Sequence, residues 1–124
     1  MNPTGSEEAA YIAYVLTLYA DLPDTPARPT PSDHSTARKL HQEGVPSPLV
    51  ESALLLATLR RLTRATDLPS LPKIRSLAYF LPVIVELQQQ PLPAAYLDYL
   101  RLKVQRLSEN PRPVVQKSTF LGER

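Results

Sequence analysis

Five cations crowd residues 60–75: Arg60, Arg61, Arg64, Lys73 and Arg75. Fixed positive charge at this density can neutralise phosphates, and release of the phosphates' counterions then drives binding. Only Asp67 interrupts the run. Cations at the C-terminal end of a helix also compensate its dipole, which accounts for Arg60, Arg61 and Arg64. That explanation does not reach Lys73 and Arg75, which stand before the next helical segment. The five are therefore expected to form one surface for nucleic acid or another anionic partner, with Tyr79 beside them as an aromatic contact.

Other chemistry finds less to work with. His34 and His41 lie two helical turns apart, roughly 10 Å, too far to share one metal ion unaided. Glu7 and Glu8 are neighbours, so on a helix they diverge and make no acid–base pair. No glycine-rich phosphate loop, nucleophile motif or acid cluster for magnesium occurs. The chain has no cysteine, which excludes disulfides and thiolate metal sites. Neither an enzyme nor a cofactor or small-molecule substrate is expected.

The elements that would position these residues are helical. The chain has 124 residues, 43% hydrophobic and 21% charged, enough for a single small domain. Fourteen prolines and only three glycines divide it into helix-length intervals with little room for hairpins. A first helix is predicted over 7–20, N-capped by Ser6, with Tyr11, Tyr14, Val15, Leu18 and Tyr19 on one face. Prolines then impose a linker over 21–31. A second helix runs from 32 or 33 to 43, closed by Gly44 in the left-handed conformation. A third begins at Pro48 with Ser47 as N-cap and is apolar nearly all round, which marks the centre of a bundle. A fourth is predicted over 74–89, kinked by Pro82 in its interior. A fifth covers 93–107. Leu54, Ala57, Leu77, Val83 and Leu100 are the expected core. The result is an all-α domain over 1–108, a bundle of about five helices, followed by an extended tail over 109–124.

On the fourth segment Tyr79, Val83 and Leu87 recur at four-residue steps and form one ridge on a helix. Together with Gly44 in a turn and the small residues Ala53 and Ala57, this order resembles the C-terminal helical domain of DnaD-type replication-initiation proteins, over residues 37–89. Leu87 stands where that family usually has Trp. The resemblance implies DNA binding, with DNA in preference to RNA, by an accessory protein of replication initiation or of a mobile-element nucleoprotein complex. The winged-helix half usual in that family is not found in the sequence, so a protein partner or self-association is also implied.

Charge is distributed in a way that suits this reading. Residues 1–36 carry one Arg against five acids, whereas residues 37–124 carry thirteen Lys and Arg against seven. Such asymmetry can mark a nucleic-acid-facing half, and it is also what solvated helix faces display. The rival function is a helical adaptor, or a small subunit of a multi-protein mobile-element or defence complex, that touches protein alone. Its contacts would be Tyr11 and Tyr14 on the first helix and Val114, Val115 and Phe120 in the tail. The tail is expected to dock on a partner chain, on a neighbouring copy, or back on its own bundle. The polar, acidic start has no signal-peptide pattern and no apolar run is long enough to span a bilayer, so a cytoplasmic protein without membrane contact is expected.

Overall fold

The computed structural model describes residues 3–109. Five α-helices follow in order: α1 Pro3–Ala20, α2 Pro31–Gln42, α3 Ser47–Leu62, α4 Leu81–Gln89 and α5 Ala94–Glu109, with a short 3-10 helix, Leu77–Phe80, leading into α4. No strand occurs among the described residues, so the fold is an all-α bundle. α3 is its axis. It packs against α1, α4, α5 and the 3-10 helix, while α2 packs on α1 and the 3-10 helix. Val50, Ala53, Leu54 and Ala57 of α3 are buried against Val15, Tyr19, Ile84, Leu87 and their neighbours.

Local chemistry explains the element ends. Thr30 and Asp33 form a capping box at the start of α2: the Thr30 hydroxyl accepts from Asp33 N and the Asp33 carboxylate accepts from Thr30 N. At the other end Gly44 has φ +77°. Val45 N donates to Leu40 O and Gly44 N to His41 O, the paired bonds of a Schellman motif, closed by burial of Val45 on Leu40. A Cβ at Gly44 would touch nothing, so the backbone angle alone demands glycine there.

Several expected boundaries move. α1 starts four residues early, at Pro3, so Ser6 lies inside the helix and caps nothing. Ser47 is not the N-cap of α3. Pro46 holds that place in extended conformation, φ −63° and ψ 142°, without a side-chain cap bond, and its carbonyl accepts from Leu49 N and Val50 N. The fourth helix is shorter than 74–89. Ile74 lies in no helix, Ser76 is extended, and α4 begins only at Leu81. Pro82 therefore occupies the first turn of α4 and kinks nothing. Its ring would strike the carbonyl four residues back and it has no N–H to donate. The chain takes a 3-10 turn before it and restarts the α-helix where a missing N–H costs nothing.

The same shift breaks the ridge. Tyr79 stands on the 3-10 helix and is 43% exposed, Val83 is half-buried, and Leu87 is buried. The residues that face the core in sequence are Leu77, Phe80, Ile84 and Leu87. Leu54, Ala57, Leu77 and Leu100 are buried as expected, and Val83 only partly.

Candidate functional site

The C-terminal end of α3 gathers Arg60, Arg61 and Arg64 around a shallow cleft of about 260 Å³ that Tyr79, Val83 and Leu71 also line. Their positions follow from the last turn of α3 and the segment after it, which brings Leu71 back across the helix end. Space supplies carboxylates that the sequence keeps far away. Arg60 grips Glu86 of α4 with two bonds, Nη1 to Oε1 at 2.9 Å and Nη2 to Oε2 at 2.6 Å. Those bonds hold the Glu86 carboxyl below its ordinary value and raise the guanidinium.

Arg61 is inward-facing, its side chain only 10% exposed. It donates to Pro72 O at 2.9 Å, to the Tyr79 hydroxyl at 3.2 Å and to Asp24 Oδ2 at 3.4 Å, and its guanidinium stands 5.5 Å from the Tyr79 ring centroid. Asp24 is held in turn. Its φ is +66°, and its carbonyl accepts from Ile74 N at 2.9 Å. Arg61 thus bolts together the two proline-rich connections, 21–30 and 66–76. Arg64 donates to Pro69 O at 3.3 Å. Lys73 and Arg75 are exposed and make no ion pair with any described residue. The structure therefore brings Arg60, Arg61, Arg64 and Tyr79 together. It assigns Arg61 largely to holding the fold, and it leaves Lys73 and Arg75 outside the cleft.

The tyrosines of α1 do not form one stripe. Tyr11 is half-buried and donates to Val45 O at 2.7 Å; burial pushes its hydroxyl up to about 12. Its ring lies 5.0 Å from that of His41, whose Nδ1 is 3.7 Å from Glu8. Tyr14 is 41% exposed but its hydroxyl is engaged by Glu51. Tyr19 is fully buried, edge-on to Phe80 with ring centroids 6.1 Å apart, and its hydroxyl has no hydrogen-bond partner. The hydroxyls of Tyr11 and Tyr14 thus bond within the bundle. Val114, Val115 and Phe120 lie outside the described residues.

Sequence reasoning passed over the most heavily bonded carboxylate. Glu51, 6% exposed, receives Arg101 Nε at 2.7 Å, Arg101 Nη2 at 2.8 Å and the Tyr14 hydroxyl at 2.7 Å. One carboxylate so joins α1, α3 and α5. Arg101 is the main reason its carboxyl lies below the ordinary range, and the Tyr14 hydroxyl is raised by its bond to the same group. A lone acid within the apolar run Leu49–Leu56 was the available signal. Asp33 is a second such group: fully buried, it accepts from Thr30 N and, across the fold, from Leu77 N at 2.9 Å.

Among the described residues no group of three or more His, Cys, Asp or Glu could hold a metal ion, and no helix is long and apolar enough to cross a membrane. Searches against protein-family models, curated proteins and solved structures find no match to the chain.

Proposed function

We propose that the chain is a non-enzymatic accessory module whose α3 end and following segment meet nucleic acid. The observation that carries this reading is the excess of cations there. Five basic residues stand at or beside one helix end, and of these Lys73 and Arg75 are exposed and make no ion pair with any described residue. Lys73 and Arg75 reach phosphates first, Arg64 borders the cleft, and half-exposed Tyr79 stands beside them as an aromatic contact. Arg61, held inward, shapes this surface more than it touches the ligand. The resemblance to DnaD-type domains suits the same reading and points to DNA. The proposed role is then in replication initiation or a mobile-element nucleoprotein complex, in the cytoplasm and alongside a protein partner.

A second reading, a protein adaptor, is favoured by the Glu86 and Asp24 bonds themselves. They engage Arg60 and Arg61 within the fold, and an acidic protein face needs fewer cations than a nucleic-acid strand. Titration of the full chain against single- and double-stranded DNA at two salt concentrations separates the two. A nucleic-acid ligand gives an affinity that falls steeply with salt. The double variant K73E/R75E should bind more weakly across all sequences, with the log–log salt slope reduced by roughly 0.7–0.9 for each phosphate no longer neutralised. Binding unchanged by that variant in low salt would reject the site.

A further inference from the structure

The cleft at the end of α3 joins two chemistries that a phosphate site alone does not need. Arg60, Arg61 and Arg64 line it together with Leu71, Tyr79 and Val83, and among the described residues no carboxylate belongs to that lining. Glu86 holds Arg60 from outside it. The neighbouring cleft shares Arg61, Arg64 and Leu71 but adds the carboxylate of Asp24, which opposes an anion. Leu71 is 38% exposed and Tyr79 43%. Apolar surface left open among cations suits a ligand with an apolar body and an anionic arm. Pockets that enclose whole drug-sized molecules measure about 300–1,000 Å³. At about 260 Å³ this cleft is smaller, and it accommodates a single ring system. Its walls are fixed beforehand. Arg61 donates to Pro72 O, next to Leu71, and to the Tyr79 hydroxyl, so one guanidinium ties both apolar sides. Little ordering entropy is then lost when a ligand enters.

Given that this surface meets nucleic acid, we propose that the cleft takes an unpaired base, so that the substrate is a single strand and not a duplex. A single strand presents both parts together: open base surface for the apolar and aromatic side chains, and adjoining phosphates for the cations. Lys73 and Arg75 follow Leu71 closely in the chain and are exposed, available to the phosphates of the same strand. A duplex shows phosphates outside and keeps its bases stacked within, and extruding one costs unstacking and unpairing energy. On a duplex Leu71 and Tyr79 stay in water, and phosphate contacts act alone.

The test titrates the full chain in low salt with three probes of equal length. These are oligothymidine, the same strand paired with oligoadenosine, and a strand of abasic tetrahydrofuran sites, which keeps the phosphates and lacks the bases. Oligothymidine should bind roughly 5–150-fold tighter than either of the others, the range of one base–side-chain contact. Leu71→Ala should weaken oligothymidine several-fold and leave the abasic strand unchanged. The salt slope should also stay the same, since no phosphate contact is lost. Leu71 is exposed and lies outside the helices, so the far-ultraviolet helical signal should remain that of the parent. Equal binding of oligothymidine and the abasic strand, or a duplex bound as tightly as the single strand, would overturn the proposal and leave the nucleic-acid reading standing. Equal weakening of all three probes by Leu71→Ala would overturn it too, because the loss would then lie in the phosphate contacts or the fold. Failure to bind any of the three would overturn the nucleic-acid reading itself, and the single-strand preference with it.

Discussion

The two ends of α3 carry charge in opposite ways. Near its start, Glu51 is buried and three donors from two other helices converge on it. At its finish, Arg60 and Glu86 meet in the open, with side chains 51% and 41% exposed. A buried charge is costly unless every bond is made, so its partners are fixed. An exposed pair exchanges freely with water and contributes little. The first arrangement therefore organises the bundle, while the second leaves a surface whose cations can be diverted to a ligand.

Removing the partner of the buried carboxylate should have the largest effect. Arg101→Met leaves the Glu51 carboxylate with only Tyr14 and should cost about 3 kcal/mol in urea unfolding at neutral pH. The sign with pH follows from the lowered carboxyl. Its contribution is full above the ordinary carboxylate value and disappears as pH falls through the lower folded value. In the variant, burial without Arg101 raises that carboxyl, so the gap between parent and variant should narrow as pH falls from the variant's raised folded value to the parent's lowered one. A gap constant from neutral to acid would show that Glu51 is not held by Arg101.

Arg61→Ala comes next, at about 1–2 kcal/mol, because it unties Pro72, Tyr79 and Asp24 together. Arg60→Ala should leave the urea midpoint within error of the parent, and equal losses at the two positions would erase the distinction drawn between them. Tyr14→Phe should cost about 1 kcal/mol by removing one donor to Glu51. Tyr19→Phe should have the opposite sign, a gain of up to about 1 kcal/mol, since it deletes a buried hydroxyl that has no partner. A loss there, measured by thermal melting, would reveal a bond to that hydroxyl.

The helical architecture was legible because apolar spacing and proline placement are local properties. Gly44 was legible for the same reason: a Schellman motif is written within six residues. Pro82 was misplaced because an interior proline and a first-turn proline look alike until the preceding turn is known. Glu51 and Arg101 escaped notice since fifty positions separate them, and only packing of α5 on α3 makes them partners. The basic run was visible as composition, but Glu86 and Asp24, which neutralise part of it, come from α4 and the linker. Charge in a sequence is additive; charge on a surface depends on which helices cross.

Asp33 completes a capping box that, by itself, any short helix could form. Its second oxygen, however, accepts the amide of Leu77 from the 3-10 helix. The start of α2 and the entry to α4 consequently cannot open separately without stranding a buried carboxylate. Local unfolding of either should expose both, so the amides of Asp33 and Leu77 should exchange hydrogen as one unit with a common opening free energy. A side chain placed for local helix initiation thereby makes folding of distant segments concerted.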